Sequence, residues 1–109
     1  MTSLPADSMH LILYSKPGCH LCEGLQEKLE QVTTVAIALE IRDITTQDDW
    51  FQAYQYEIPI LMWVLPDAAV LPEGVEKGSA LRLPRLSPRA SIAQVEQMLQ
   101  TYQRRHQPE

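Results

Sequence analysis

The chain has 109 residues, 45% apolar and 21% charged, with a formal net charge of −5. That is the length and make-up of one globular domain with a modest core, and the acidic balance argues against a general nucleic-acid binder. No apolar run approaches the length needed to cross a bilayer, and Met1–Met9 has no basic region ahead of an apolar stretch, so no membrane partner and a cytoplasmic location are expected. Charge is uneven: residues 1–58 carry three basic and nine acidic side chains, net −6, whereas residues 59–109 carry six and five, net +1.

In chain order, residues 1–8 mix Ser, Pro, Asp and Thr and read as a frayed lead-in to a domain over 9–103, with 104–109 a polar tail. His10–Tyr14 is a short continuous apolar run, which suits a strand buried on both faces. Pro17 and Gly18 break it and turn the chain into an amphipathic helix expected from Cys19 to about Thr33, with apolar positions 22, 25, 29 and 32. Gly24 inside this helix costs ~1 kcal/mol against Ala, and relief of crowding near the cysteines is the expected reason for it. Val35–Asp43 alternates and is rich in β-branched residues, giving a second strand and a parallel βαβ unit. Thr46 and Asp49 resemble a capping box opening a short helix from Gln47 to about Tyr54, whose Trp50, Phe51 and Tyr54 are core candidates. Pro59 opens a strongly apolar strand ending at Val64. An extended turn follows over 65–79, with a final strand between Glu73 and Leu83, centred on 81–83. Ser87-Pro88 and Ser91-x-x-Gln94 are alternative starts for a last helix with an Ile92, Val95, Leu99, Tyr102 stripe.

Both cysteines lie in Ser15-Lys16-Pro17-Gly18-Cys19-His20-Leu21-Cys22, at the junction of the first strand and first helix. A cysteine in the first turn of a helix faces unpaired backbone N–H groups and the positive end of the helix dipole, both of which favour thiolate over thiol. Cys19 is therefore expected to be the nucleophile. Cys22, three residues on, is placed to resolve a mixed disulfide. So short a loop constrains the unfolded chain little, which points to redox chemistry rather than a staple. A protonated His20 would stabilise the neighbouring thiolate; a His20 that simply points into solvent fits as well. Zinc generally needs four protein ligands, and with no second Cys pair and with His10 and His106 at the ends of the chain, a site is expected to form only across a dimer. No resident metal is expected, and an iron–sulfur cluster shared by two subunits would require an external thiol.

Strand, Cys-x-x-Cys, helix, strand, short helix, then Ile58-Pro59 opening a strand resembles the thioredoxin superfamily. The Tyr14–Cys22 segment is most similar to small glutaredoxin-like proteins with a Cys-His-Leu-Cys type motif. The resemblance implies an α/β, thioredoxin-like fold of the glutaredoxin subclass: a four-stranded mixed sheet flanked by helices in the order βαβαββα. It also implies a thiol-disulfide oxidoreductase, a monomer, acting on a disulfide-containing protein or small thiol. No bound cofactor would be required, with glutathione or another external thiol as reductant. Lys16 matches a lysine that stabilises the thiolate and receives glutathione. Pro59 matches the family's cis-proline, which would aim the backbone of Ile58 at an extended substrate. The Gly-Gly-x-Asp element that receives glutathione in glutaredoxins is absent. Arg85, Ser87 and Arg89 are a candidate replacement for binding an anion; a helix-capping Ser87 and two solvated arginines fit the same residues. The alternative function is a redox-sensing or metal- or iron–sulfur-binding module whose cysteines are ligands or sensors.

Overall fold

A computed structural model describes residues 8–65 and 80–105. The lead-in up to Asp7, all of the extended turn expected over 65–79 except Leu65, and the tail beyond Arg105 lie outside the described residues. The elements are β1 (Met9–Ser15), α1 (His20–Glu30), β2 (Ile37–Asp43), α2 (Asp48–Tyr54), β3 (Ile60–Val64), β4 (Ala80–Arg82) and α3 (Ile92–Arg105). Their order is the expected βαβαββα, and the strands form one mixed sheet, β2-β1-β3-β4. β1 runs parallel to β2, with Leu11 opposite Leu39, and antiparallel to β3, with Leu11 opposite Trp63. β4 closes the other edge, antiparallel to β3. The fold is thioredoxin-like.

Side chains alternate across a strand, so β1 feeds two cores. Met9, Leu11 and Leu13 join Leu61 and Trp63 against Leu29 of α1 and Val95 and Leu99 of α3. Ile12 and Tyr14 face the other way, with Ile60, Ile44 and the half-buried Trp50, Phe51 and Tyr54 of the α2 side. The two-faced burial expected of the first strand follows from this, and α1 and α3 cover one sheet face while α2 covers the other.

Several boundaries differ from expectation for identifiable reasons. α1 starts at His20 with Cys19 as its N-cap, and it ends at Glu30 because the Thr33 and Thr34 amides donate instead to the Glu96 carboxylate of α3, at 3.0 and 3.1 Å. These bonds, Thr33 first, hold the Glu96 carboxyl below its ordinary range. The Thr46 capping box does not form. Asp43 caps a 3-10 turn over Ile44–Thr46, Thr46 donates its hydroxyl back to the Asp43 carbonyl, and α2 begins after Gln47 without a side-chain cap. Of the two starts for the last helix, Ser91 is the one used: the Gln94 amide donates to Ser91 Oγ and the Ser91 amide to Gln94 Oε1. α3 runs on to Arg105, two residues into the stretch read as tail.

Beside the C-terminal end of β1, Arg42 donates to Tyr14 Oη at 3.1 Å, pairs with Glu40 and lies over the Tyr14 and Trp50 rings at 5.7 and 5.3 Å. Arg42 is the main reason the Glu40 carboxyl titrates below its usual range, and Glu40 in turn pushes the guanidinium up. This cluster fixes Tyr14 in the smaller core, as packing rather than as an open platform.

Candidate redox site

The Cys19–Cys22 pair occupies the junction of β1 and α1, and local sequence accounts for its geometry. Pro17 and Gly18 are the central residues of a turn in which the Cys19 amide donates to the Lys16 carbonyl at 3.2 Å. Gly18 has φ of +80°, the left-handed value a type II turn demands at that position, and proline is favoured just before it. The turn delivers Cys19 to the N-cap with extended backbone, φ −86° and ψ 101°. Its carbonyl accepts the first helical bond, from the Glu23 amide at 3.0 Å, and its Sγ accepts from the Cys22 amide at 3.2 Å. The sulfur thus fills the place an N-cap oxygen usually takes.

The two sulfurs are joined as a disulfide, with Cα atoms 5.3 Å apart, inside the range a bridge requires. Cys19 is half-buried, whereas Cys22 is 2% exposed and faces the core. Solvent, and any incoming disulfide, therefore meets Cys19 first. The arrangement can hold a thiolate at Cys19 and close a bridge to Cys22.

The other expected residues fall in three places. Lys16 is exposed at the start of the turn, contributing its carbonyl to it. His20 is the first residue of α1, with a side chain 94% exposed and Nδ1 at 3.7 Å from Glu23, so it points into solvent. Ile58 and Pro59 are half-buried ahead of β3, joined by a cis peptide bond as the resemblance implied, and Pro59 lines a groove together with His20 and Leu21. Arg85 and Ser87 line that same groove; Arg89 lines a separate hollow with Ser87 and Gln94. Arg85 donates to the Glu57 carbonyl at 3.4 Å and more weakly to that of Ile58, while Ser87 Oγ accepts from the Arg89 amide rather than capping α3.

Sequence reading missed the groove itself. Its walls are α1, through Leu21, Leu25 and Lys28, and the segment 82–90 after β4. The spacing of Leu21, Leu25 and Lys28 at i, i+4 and i+7 was the available signal for the α1 wall. Nothing local announces the opposite wall, which is fixed by Lys28 Nζ donating to the Pro88 carbonyl at 2.7 Å and by Arg85. The expected crowding at Gly24 is also absent: a Cβ there would meet no atom within 4 Å.

A thioredoxin-like sheet carrying a Cys-x-x-Cys disulfide at the first helix N-terminus and a cis-proline before the third strand defines a class of thiol-redox folds. The glutaredoxin-like domain family (DUF836) matches residues 10–100, and the chain belongs to it. No curated protein sequence matches the chain. Among the described residues no group of three or more His, Cys, Asp or Glu is arranged to hold a metal ion, and no helix is long and apolar enough to cross a membrane.

Proposed function

We propose that the protein is a thiol-disulfide oxidoreductase, a monomer of the cytoplasm acting on disulfides and requiring no bound cofactor. One observation carries this reading: the sulfur of the outward cysteine is the N-cap acceptor of α1, while its partner is buried within bonding reach. In the reduced protein the Cys22 amide and the helix dipole act on a Cys19 thiolate and lower its proton affinity. That thiolate attacks one sulfur of a substrate disulfide, forming a mixed disulfide and expelling the other sulfur as a thiolate. Cys22, losing its proton to solvent, then attacks Cys19 Sγ; the second substrate thiolate leaves, and the Cys19–Cys22 bond carries the two electrons' worth of oxidation. An external dithiol, or two monothiols such as glutathione, returns both electrons and resets the pair.

Lys16 and His20 add positive charge near the thiolate, His20 when protonated. The backbone at Ile58 and Pro59 receives an extended substrate. Arg85, with Ser87 and Arg89 beyond it, attracts a substrate carboxylate.

The test is turnover of bis(2-hydroxyethyl) disulfide with dithiothreitol, together with mass spectrometry of Cys22→Ser. Saturable turnover and a mercaptoethanol adduct confined to Cys19 are expected. A wild-type protein that never exceeds the uncatalysed rate, yet retains stoichiometric metal or iron–sulfur absorbance as a dimer, would replace this reading with the sensor or cluster-binding module.

A further inference from the structure

The groove beginning at His20, Leu21 and Pro59 has a volume of about 160 Å³. An apolar protein cavity of ~150 Å³ is large enough to admit a benzene ring, so a bulky side chain fits. Its lining is apolar at Leu25, Leu83, Leu86 and Met98, and among the described residues its Lys and Arg groups are Lys28, Arg82 and Arg85 and no Asp or Glu lines it. Arg82 is neutralised by Glu57 at 3.1 Å. Lys28 and Arg85 instead donate to carbonyl oxygens, and among the described residues neither is paired with a carboxylate. On a chain of net charge −5, this is a local cationic rim around an apolar hollow.

Gly24 gives the hollow a second, independent mark. It sits inside α1, where glycine costs ~1 kcal/mol relative to alanine. Its φ is not positive, since among the described glycines only Gly18 is left-handed, and a Cβ would meet nothing within 4 Å. Neither backbone conformation nor close approach calls for glycine here. What the missing side chain does is leave the groove wall bare.

We propose that this groove selects the substrate of the redox pair: a polypeptide disulfide whose cysteine is flanked by a bulky apolar residue, seated against Gly24, Leu25 and Met98, and by a carboxylate drawn to Lys28 and Arg85. The proposal rests on the thiol-disulfide exchange reading of Cys19 and Cys22. Because His20 and Leu21, which lie between the two cysteines, line the groove, a chain bonded through sulfur to Cys19 is held beside it. Glutathione offers carboxylates but no bulky apolar group, and so fills only the rim.

The test uses disulfide-linked homodimers of two short peptides, identical except that leucine and glutamate beside the cysteine in one are serine and glutamine in the other, with dithiothreitol as reductant. Wild type is expected to favour the Leu–Glu peptide in kcat/KM by at least about tenfold, the scale of one well-filled apolar contact. Gly24→Leu, with an unfolding midpoint no lower than wild type, should reduce that preference to within about twofold. Arg85→Gln should weaken the preference for a Leu–Glu over a Leu–Gln peptide. Equal turnover of both peptides by wild type, glutathione disulfide turned over as well as the Leu–Glu peptide, or full preference retained by folded Gly24→Leu would each overturn the proposal and leave the redox reading standing. No turnover of any disulfide would overturn both.

Discussion

The two sides of the candidate redox site are built by opposite means. The Lys16–Cys22 turn is held by bonds within its own stretch and its immediate neighbour: Cys19 amide to Lys16 carbonyl, Cys22 amide to Cys19 sulfur, Glu23 amide to Cys19 carbonyl. The facing segment, Leu83–Ala90, is positioned by groups far away in sequence, with Lys28 reaching Pro88 across 60 residues and Arg85 reaching Glu57 across 28. On the function proposed, reactivity is thus a local property and recognition a tertiary one. A substitution can change which substrates fit without altering the electrostatics that make a thiolate.

The sharpest break of that contrast is on the local side. Cys19→Ser should lower disulfide turnover on the order of 10³-fold or more, as removal of a covalent nucleophile does, with the fold intact by circular dichroism. An active Cys19→Ser protein would remove the basis for calling the turn the reactive element.

A core substitution loosens the support both sides share. Leu99 of α3 is 0% exposed and packs in the cluster that contains Leu13 and Leu29. Leu99→Ala should cost about 2–5 kcal/mol in urea unfolding, from lost burial and the cavity left behind. A cost under about 1 kcal/mol would mean that α3 is not packed as described.

Smaller effects test the tertiary side. Ser91→Ala removes the N-cap of α3 and should cost about 1 kcal/mol, with Thr restoring most of it. Ser87→Ala should cost less, because Ser87 does not cap the helix. Glu96 offers a pH handle on the tie between α3 and the Thr33–Thr34 turn. Its folded carboxyl titrates below the unfolded value of ~4.3, so its contribution is present above that pH and disappears as pH falls through the lower, folded value. The stability gap between wild type and Glu96→Gln should therefore narrow steadily as pH is lowered from 5 toward ~3 in paired urea titrations. A gap independent of pH would mean that the carboxylate is not what holds the turn.

The same division explains what the sequence disclosed. The β1 run, the Pro17-Gly18 turn, the cysteine spacing, the Pro59 boundary and the α3 stripe are each written within a few residues, and each is found in the structure. β4, placed by sequence around 81–83, lies at Ala80–Arg82. Misreadings arose where a local signal lost to a distant or competing partner. Thr33 lies beyond the end of α1 because Glu96 takes its amide, and Thr46 is spent in a 3-10 turn capped by Asp43. Gly24 is legible as a helix cost, but the groove it lines has its far wall in the distant 82–90 segment. The Arg85, Ser87 and Arg89 cluster read as one patch along the chain, yet Arg85 turns toward Glu57 while Arg89 lines the neighbouring hollow.

On the function proposed, the N-cap position activates Cys19 and burial withholds Cys22. The most direct test of this is the pH dependence of alkylation of both thiols in the reduced, metal-free protein, resolved by peptide mass spectrometry. Cys19 should react with a thiolate pKa well below the ordinary ~8.5 while Cys22 stays protected. Equal reactivity of the two thiols at an unshifted pKa would contradict the account.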